Sequence, residues 1–196
     1  VSGVSGYSNT GGFGIDGILS TAIGAAIAKP EQIVYVVLGD LAFFYDINSV
    51  GNRHLPNNIR ILLINNGRGI EFRNYKHPSA EFGEDADFYM AAAGHFGNQS
   101  KELVKHFTSD LGFEYHAASS KEEFLDLTEL ILNPVITEKP IIIEAFTTTE
   151  DESKALEMIS NVIDTESDGK VKSLAKNILG EARVNALKKM IRGDKS

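Results

Sequence analysis

Three segments of this chain run apolar and rich in β-branched residues: 33–38 (Ile-Val-Tyr-Val-Val-Leu), 59–64 (Ile-Arg-Ile-Leu-Leu-Ile) and 141–146 (Ile-Ile-Ile-Glu-Ala-Phe). None alternates polar with apolar as a strand with one wet face would, so each is expected to be buried on both faces of a parallel sheet. Amphipathic stretches between them predict helices over 17–28, 42–52, 100–111 and 121–132. Strand–helix alternation at this spacing predicts an α/β fold, a three-layer α/β/α sandwich around a mostly parallel sheet. Pro30, Pro56, Pro134 and Pro140 fall just before strands or in connections, where a missing N–H is harmless. Residues 74–98 are less regular and are the expected place for a long functional loop. From Thr147 onward the pattern becomes helical and polar. This gives an expected domain over 1–150 and a helical, basic extension over 151–196.

A chain of 196 residues with 42% apolar composition buries a core without staples, about 70% of its unfolded surface being removed from water at this size. The absence of cysteine excludes a disulfide framework and any cysteine zinc site. The longest apolar runs, such as 25–28 and 61–64, fall far short of the roughly 20 residues that span a bilayer. No signal peptide is visible, so a cytoplasmic location is expected. The chain opens on Val1 and a Ser/Gly-rich stretch, which suggests a piece cut from a larger polypeptide. Net charge is −8, yet residues 170–196 hold eight Lys/Arg and two acids, a local +6 that leaves −14 for the rest. That balance argues against a nucleic-acid binder, which needs clustered positive charge on its working surface. In the basic tail Leu174, Ile178, Val184, Leu187 and Ile191 lie roughly on one stripe. Packing on the domain is the favoured reading, ahead of a missing partner or an anionic membrane surface.

Two polar features follow directly on predicted strands, where open parallel sheets bind ligands at their carboxyl edge. Gly39-Asp40 follows 33–38, and Asn65-Asn66-Gly67-Arg68-Gly69 follows 59–64. If those strands are neighbours, a carboxylate and a carboxamide converge beside glycines that admit a close ligand. Such hard oxygen donors suit Mg²⁺. The plainer alternative is that Asp40 caps a helix starting at Leu41 and that Asn65-Asn66 is only a turn. A third feature is Gly12, Gly14 and Gly17, which formally spell G-x-G-x-x-G, with Asp40 near the position of a ribose-binding acid. A dinucleotide fingerprint needs a buried first strand before it, and residues 1–10 are too rich in Ser and Gly to supply one.

Taken together, Gly14-Ile15-Asp16-Gly17 leading into Leu19-Ser20-Thr21-Ala22, Gly39-Asp40-Leu41 with Tyr45-Asp46 and Asn48, and Asn65-Asn66 resemble the diphosphate-binding domain of thiamine-diphosphate enzymes. This is the superfamily of acetolactate synthase and pyruvate decarboxylase, whose signature is Gly-Asp-Gly followed within about thirty residues by Asn-Asn. The run from Gly39 to Asn66 is 28 residues, and Leu41 replaces the signature's second glycine. The pattern looks most like one clade, the synthases of menaquinone biosynthesis. The resemblance covers 7–72 strongly and 107–146 only in architecture.

What the resemblance implies is specific. Asp40, the Asn66 side chain and the main-chain carbonyl of Arg68 are the expected Mg²⁺ ligands. Backbone N–H groups around Asp40, Leu41 and Ala42, and around Gly67, Arg68 and Gly69, together with Gly14 and Gly39, are the expected cradle for thiamine diphosphate. Ile15 stands where the family places a bulky apolar residue under the cofactor, though it reads equally well as ordinary core. The implied chemistry is decarboxylation of a 2-oxo acid and transfer of the acyl unit to an acceptor. The family's activating glutamate belongs to a separate pyrimidine-binding domain, usually of a partner subunit. This chain is then expected to be half of an active site, inactive alone, in a homodimer or larger assembly. The alternatives are a paralogous enzyme with a sugar-derived or aldehyde acceptor, and a non-catalytic nucleotide or phosphate-binding regulatory module.

Substrate-lining residues are expected among Thr10, Glu71, Phe72 and His77. Thr10 stands where the clade carries an arginine, and Glu71 where it carries an apolar residue. Both departures weaken recognition of a strongly anionic substrate. His54, His77, His95, His106 and His116 show no His-x-x-x-His or His-Glu pairing of a zinc site. Of these, His77 and His95 lie in the irregular segment and face substrate only if it closes over the cofactor.

Overall fold

In the computed structural model the residues described are 5–9, 14–70, 77–89 and 100–163. Four strands form one parallel sheet in the order β1-β2-β4-β3: β1 (Val34–Gly39), β2 (Ile59–Asn65), β3 (Glu114–Ala118) and β4 (Ile141–Phe146). Helix α1 (Ile18–Ala28) precedes β1, and α2 (Asp40–Tyr45) follows it with no intervening loop. A 3₁₀ turn (Ile47–Gly51) leads on towards β2. After β2 come a 3₁₀ segment (Pro78–Asp85) and α3 (Ala86–Tyr89). Helix α4 (Leu103–Asp110) precedes β3, while α5 (Lys121–Asp126) and α6 (Thr128–Leu132) connect β3 to β4. The chain divides into two compact units, Val1–Thr149 and Glu150–Ser196. Of the second, the described part is the helix α7 (Thr149–Ile163), whose first turn carries Glu150, Asp151 and Glu152, the signs favoured at a helix start.

Alternate residues of β2 and β4 serve opposite faces of the sheet. Ile59, Ile61, Leu63 and Ile142 pack with Leu19, Ile23 and Ala26 of α1, Phe43 of α2 and Val104 of α4. On the other face Ile141 and Ile143, with Leu62, meet Leu127, Leu130, Ile131 and Leu132. Helices therefore cover both faces, and the α/β three-layer expectation holds. The expected burial of strand 33–38 on both faces does not. Tyr35 and Val37 are exposed, because β1 is an edge strand and lies beyond the reach of the α6 layer. Predicted helix boundaries also shift. The 42–52 helix begins at Asp40 and tightens into a 3₁₀ turn after Tyr45, and the 121–132 helix breaks at Leu127, where Thr128 Oγ1 donates to the Leu125 carbonyl at 2.6 Å. Strand β3 escapes the sequence reading. Glu-Tyr-His-Ala-Ala carries no apolar run, as befits a strand that is at the sheet edge among the described residues.

Two buried polar side chains lock the layers. Asn58 donates to the carbonyls of Ala26, Lys29 and Gln32, fastening the end of α1 to the start of β2. Arg60, 2% exposed, donates to the carbonyls of Ile131, Asn133 and Val135 at the end of α6 and lies 5.8 Å from the Tyr35 ring centroid. A buried cation is tolerable here because the negative end of a helix and three carbonyls receive it. Arg60→Ala should destabilise the fold by about 3 kcal/mol, since three carbonyls lose their charged donor and the buried side chain leaves a void. Arg60→Lys, with a compact head in place of the fork, should recover only part. Urea unfolding of the three proteins checks this, and an Arg60→Ala midpoint equal to wild type would contradict it.

Candidate functional site

The parallel pairing of β1 with β2 brings the two polar features together. Gly39 is the partner of Ile64, so Asp40 and Asn65 are the next residues out at the carboxyl edge of adjacent strands. Asp40 is 1% exposed and occupies the first turn of α2, whose cap is Gly39 in extended conformation. The plainer alternative, in which Asp40 caps a helix starting at Leu41, is corrected to this extent: the helix starts at Asp40 itself and its cap position is Gly39. Leu41 and Ala42 follow it and are buried. Gly39 is the informative glycine. Its backbone, φ −80° and ψ 163°, suits any residue, and a Cβ built on it meets nothing within 4 Å. Neither conformation nor protein packing demands glycine there, so the open space beside it is available to a ligand.

Residues 65–69 form a double turn. Asn65 Oδ1 accepts from the Gly67 N–H at 3.0 Å, and Asn66 Oδ1 accepts from the Arg68 N–H at 2.9 Å. Each asparagine thus mimics a backbone turn two residues on. Gly67 has φ 77°, a left-handed conformation that glycine adopts without penalty. The Asn65 carbonyl accepts from the Thr147 N–H at 2.9 Å, extending the β2–β4 ladder past Phe146 and pinning the base of the loop. Gly69 ends the run, half-buried.

The third glycine feature lies before α1. Gly14 has φ 71°, and a Cβ on it would stand 3.1 Å from the Asn9 carbonyl oxygen. Ile15 next to it is half-buried. Asn9 Nδ2 donates to the Asp16 carbonyl at 3.0 Å, and Ser20 donates through both N–H and Oγ to Asp46 Oδ2 at 2.7 Å each. Asp46, at the end of α2, therefore satisfies the first turn of α1 from outside. This contact ties the 14–17 turn to the element that carries Asp40. His77 caps the Pro78–Asp85 segment, accepting at Nδ1 from the Ser79 N–H at 3.2 Å. Gly12, Thr10, Glu71, Phe72, His95 and the apolar stripe of the tail lie outside the described residues, as does much of 74–98.

One group at this edge is missing from the sequence reading. Glu144 of β4 is 1% exposed, its Oε1 accepting from Asn65 Nδ2 at 2.6 Å and its Oε2 from the Tyr115 hydroxyl at 2.7 Å. Burial pushes its carboxyl above the ordinary range, with the charges of Asp40 and Glu102 adding to the push and the two hydrogen bonds opposing it. Burial and the neighbouring carboxylate likewise push the Tyr115 hydroxyl up. The available signal was a lone acid inside an otherwise apolar strand. Among the described residues no three His, Cys, Asp or Glu side chains group as a metal cage.

Comparison with known proteins gives the site its context. The chain belongs to the thiamine-diphosphate enzyme family and resembles its diphosphate-binding domain. Among its relatives are synthases of one kind. It is 34% identical over 148 residues to the 2-succinyl-5-enolpyruvyl-6-hydroxy-3-cyclohexene-1-carboxylate synthase of Bacteroides fragilis, covering 76% of this chain and 25% of that protein. To the synthase of the same name from Desulfotalea psychrophila it is 51% identical over 85 residues, 43% of this chain and 16% of that one. The chain thus spans about a quarter of the length of the first of these relatives. A solved thiamine diphosphate-dependent 4-hydroxybenzoylformate decarboxylase from Rhodococcus jostii RHA1 is similar at TM-score 0.48 and 20% identity, over 67% of this chain and 23% of that one. No protein-family profile matches the chain.

The raised Glu144 carboxyl has a consequence for stability. A group whose proton affinity is higher folded than unfolded stabilises the fold fully below its unfolded pKa, and that contribution is lost as pH rises through the folded value. Urea midpoints of the wild type should therefore decline, relative to Glu144→Gln, from the ordinary carboxylate range upward through the raised value. Parallel pH profiles for the two proteins would contradict the assignment.

Proposed function

We propose that residues 1–150 bind thiamine diphosphate and Mg²⁺ in an enzyme that decarboxylates a 2-oxo acid and transfers the acyl unit to an acceptor, the chemistry implied by the likeness of its motifs to thiamine-diphosphate enzymes. The observation that carries this reading is the meeting of Asp40 with the 65–69 double turn at the ends of paired parallel strands, beside the open space at Gly39. The donor set fits the ion. One buried carboxylate, the Asn66 carboxamide oxygen and the Arg68 carbonyl are hard oxygens, too few for a protein-only cage. They suit Mg²⁺, which keeps phosphate and water oxygens in its shell. Asn66 Oδ1 accepts from the Arg68 N–H, and an amide oxygen carries two lone pairs.

Bound thiamine diphosphate supplies the carbanion chemistry that a 2-oxo acid needs to lose carbon dioxide. The chain's own residues bind and orient it. Backbone N–H groups in the first turn of α2 and at Gly69 donate to diphosphate oxygens, those of Gly67 and Arg68 being held by the Asn65 and Asn66 side chains, and Gly39 leaves them room. Gly14 and Ile15 sit on the turn before α1, whose Ser20 is fastened to Asp46 at the end of α2, and would help hold the cofactor there. The pyrimidine end is completed by a separate domain, in an assembly of at least two copies.

Titration calorimetry with thiamine diphosphate, with and without Mg²⁺, tests the reading. Binding is expected only with the metal, and nucleotides should not substitute. Asp40→Ala should abolish it with unchanged circular dichroism. Gly39→Val should weaken it sharply while leaving the thermal midpoint in place, because its new side chain enters space that the protein does not fill. Metal-independent binding, or full affinity in Asp40→Ala, would sink the assignment. The half-site argument makes a further claim: the chain with both cofactors and pyruvate or 2-oxoglutarate should release no carbon dioxide, and measurable release would refute it.

A further inference from the structure

We propose that Glu144 is a positioning residue for the 65–69 loop, acting through the side chain of Asn65. This rests on the reading of that loop as the place where metal and diphosphate are held. The argument is one of hydrogen-bond polarity. Asn65 carries an acceptor and a donor on one planar amide, and the two face different partners. Its Oδ1 must face the Gly67 N–H, 3.0 Å away, and its Nδ2 meets Glu144 Oε1 at 2.6 Å. Ionised, or protonated on the oxygen facing Tyr115, the Glu144 carboxyl keeps Oε1 as an acceptor. It therefore enforces one of the two flips of the Asn65 amide. The other flip would set an NH₂ against the Gly67 N–H, donor against donor, and the turn would open.

The anchor reaches across three strands. Tyr115 stands level with Ile142, Glu144 lies two residues further along β4, and Asn65 is level with Phe146. Tyr115, Glu144 and Asn65 thus form a diagonal that steps towards the carboxyl edge at each strand. All three lie on the sheet face that carries α1. The β3 end is held by Tyr115, which packs against the core while its hydroxyl donates to Oε2 at 2.7 Å. What the diagonal delivers at the edge is the backbone geometry of 66–68, including the Asn66 turn and the Arg68 carbonyl. A plain packing role would not need a carboxylate. An apolar residue would fill β4 at lower cost than an acid whose carboxyl burial pushes upward.

The test uses the 196-residue chain and two measurements. In calorimetric titration of thiamine diphosphate with Mg²⁺ in excess, Glu144→Leu should lower affinity by about 10- to 100-fold, the usual loss when a partner behind a metal ligand is removed. Glu144→Gln, whose carboxamide oxygen still accepts from Asn65, should stay close to wild type, and Tyr115→Phe should fall between. In the unliganded chain, amide hydrogen exchange at Gly67 should accelerate in Glu144→Leu and Tyr115→Phe while exchange in β1 is unchanged. Equal affinities in wild type and Glu144→Leu would overturn the proposal, as would unaltered Gly67 exchange. A wild-type chain that binds no metal and diphosphate would overturn the function instead. The exchange measurement needs no ligand and still decides the role of Glu144. If Glu144→Leu fails to fold, Tyr115→Phe carries both measurements.

Discussion

The register between β1 and β2 is the constraint on which the site depends. Gly39 opposite Ile64 is its last rung, and beyond it the two strands diverge into a helix and a turn. Packing fixes that rung: Val36 and Leu38 share a face with Ile61 and Leu63, against α1 and α2. A slip of one residue would turn that row outward and drive Tyr35 and Val37 into the core, reversing every side chain of the strand. It would also separate Asp40 from Asn65. The site is therefore secured by the packing of apolar residues beneath it.

Two buried charges mark the two faces and meet different solutions. Arg60 emerges towards α6 and spends its donors on carbonyls, which cost no second charge. Glu144 emerges on the opposite face with a tyrosine and an asparagine as donors, and no cation among the described residues hydrogen-bonds to it. The difference in function follows. A cation satisfied by a helix end is a fastener, whereas an acid held by neutral donors directs the polarity of what it touches. Only the second arrangement transmits orientation to a neighbour, here the Asn65 amide.

Legibility in the sequence followed burial. Strands β1, β2 and β4 announce themselves because a parallel sheet demands continuous apolar runs, and the residues just after them announce the edge where ligands bind. Strand β3 is silent because an edge strand needs no such run. Its silence hid Tyr115 and with it the partner of Glu144. Cross-strand coupling between residues 29 positions apart leaves no local spacing to read. Asn65 shows the same limit. Its neighbour Asn66 was legible as a candidate ligand, while the task of Asn65 became visible only with Gly67 on one side of its amide and Glu144 on the other. The helix ends shifted because caps such as Ser120, which accepts from the Glu123 N–H, compete on equal terms with residues one or two places away.

Electrostatics decides which anion such an edge accepts. Asp40 and Glu144 are buried there, and the charges of Asp40 and Glu102 both bear on Glu144. A unit negative charge brought to about 4 Å from Asp40 is opposed by about 4 kcal/mol at the effective dielectric of a protein surface. The first turn of a helix returns roughly 0.3–1 kcal/mol to an anion, and α2 is only six residues long. Backbone N–H groups alone therefore lose to the carboxylate, and a bare phosphate is repelled from this edge. A divalent cation between Asp40 and the phosphate oxygens converts that repulsion into two attractions. The requirement for metal in the proposed function follows from the placement of Asp40 itself, and it separates this edge from phosphate sites built on glycine loops and helix ends without an acid among them.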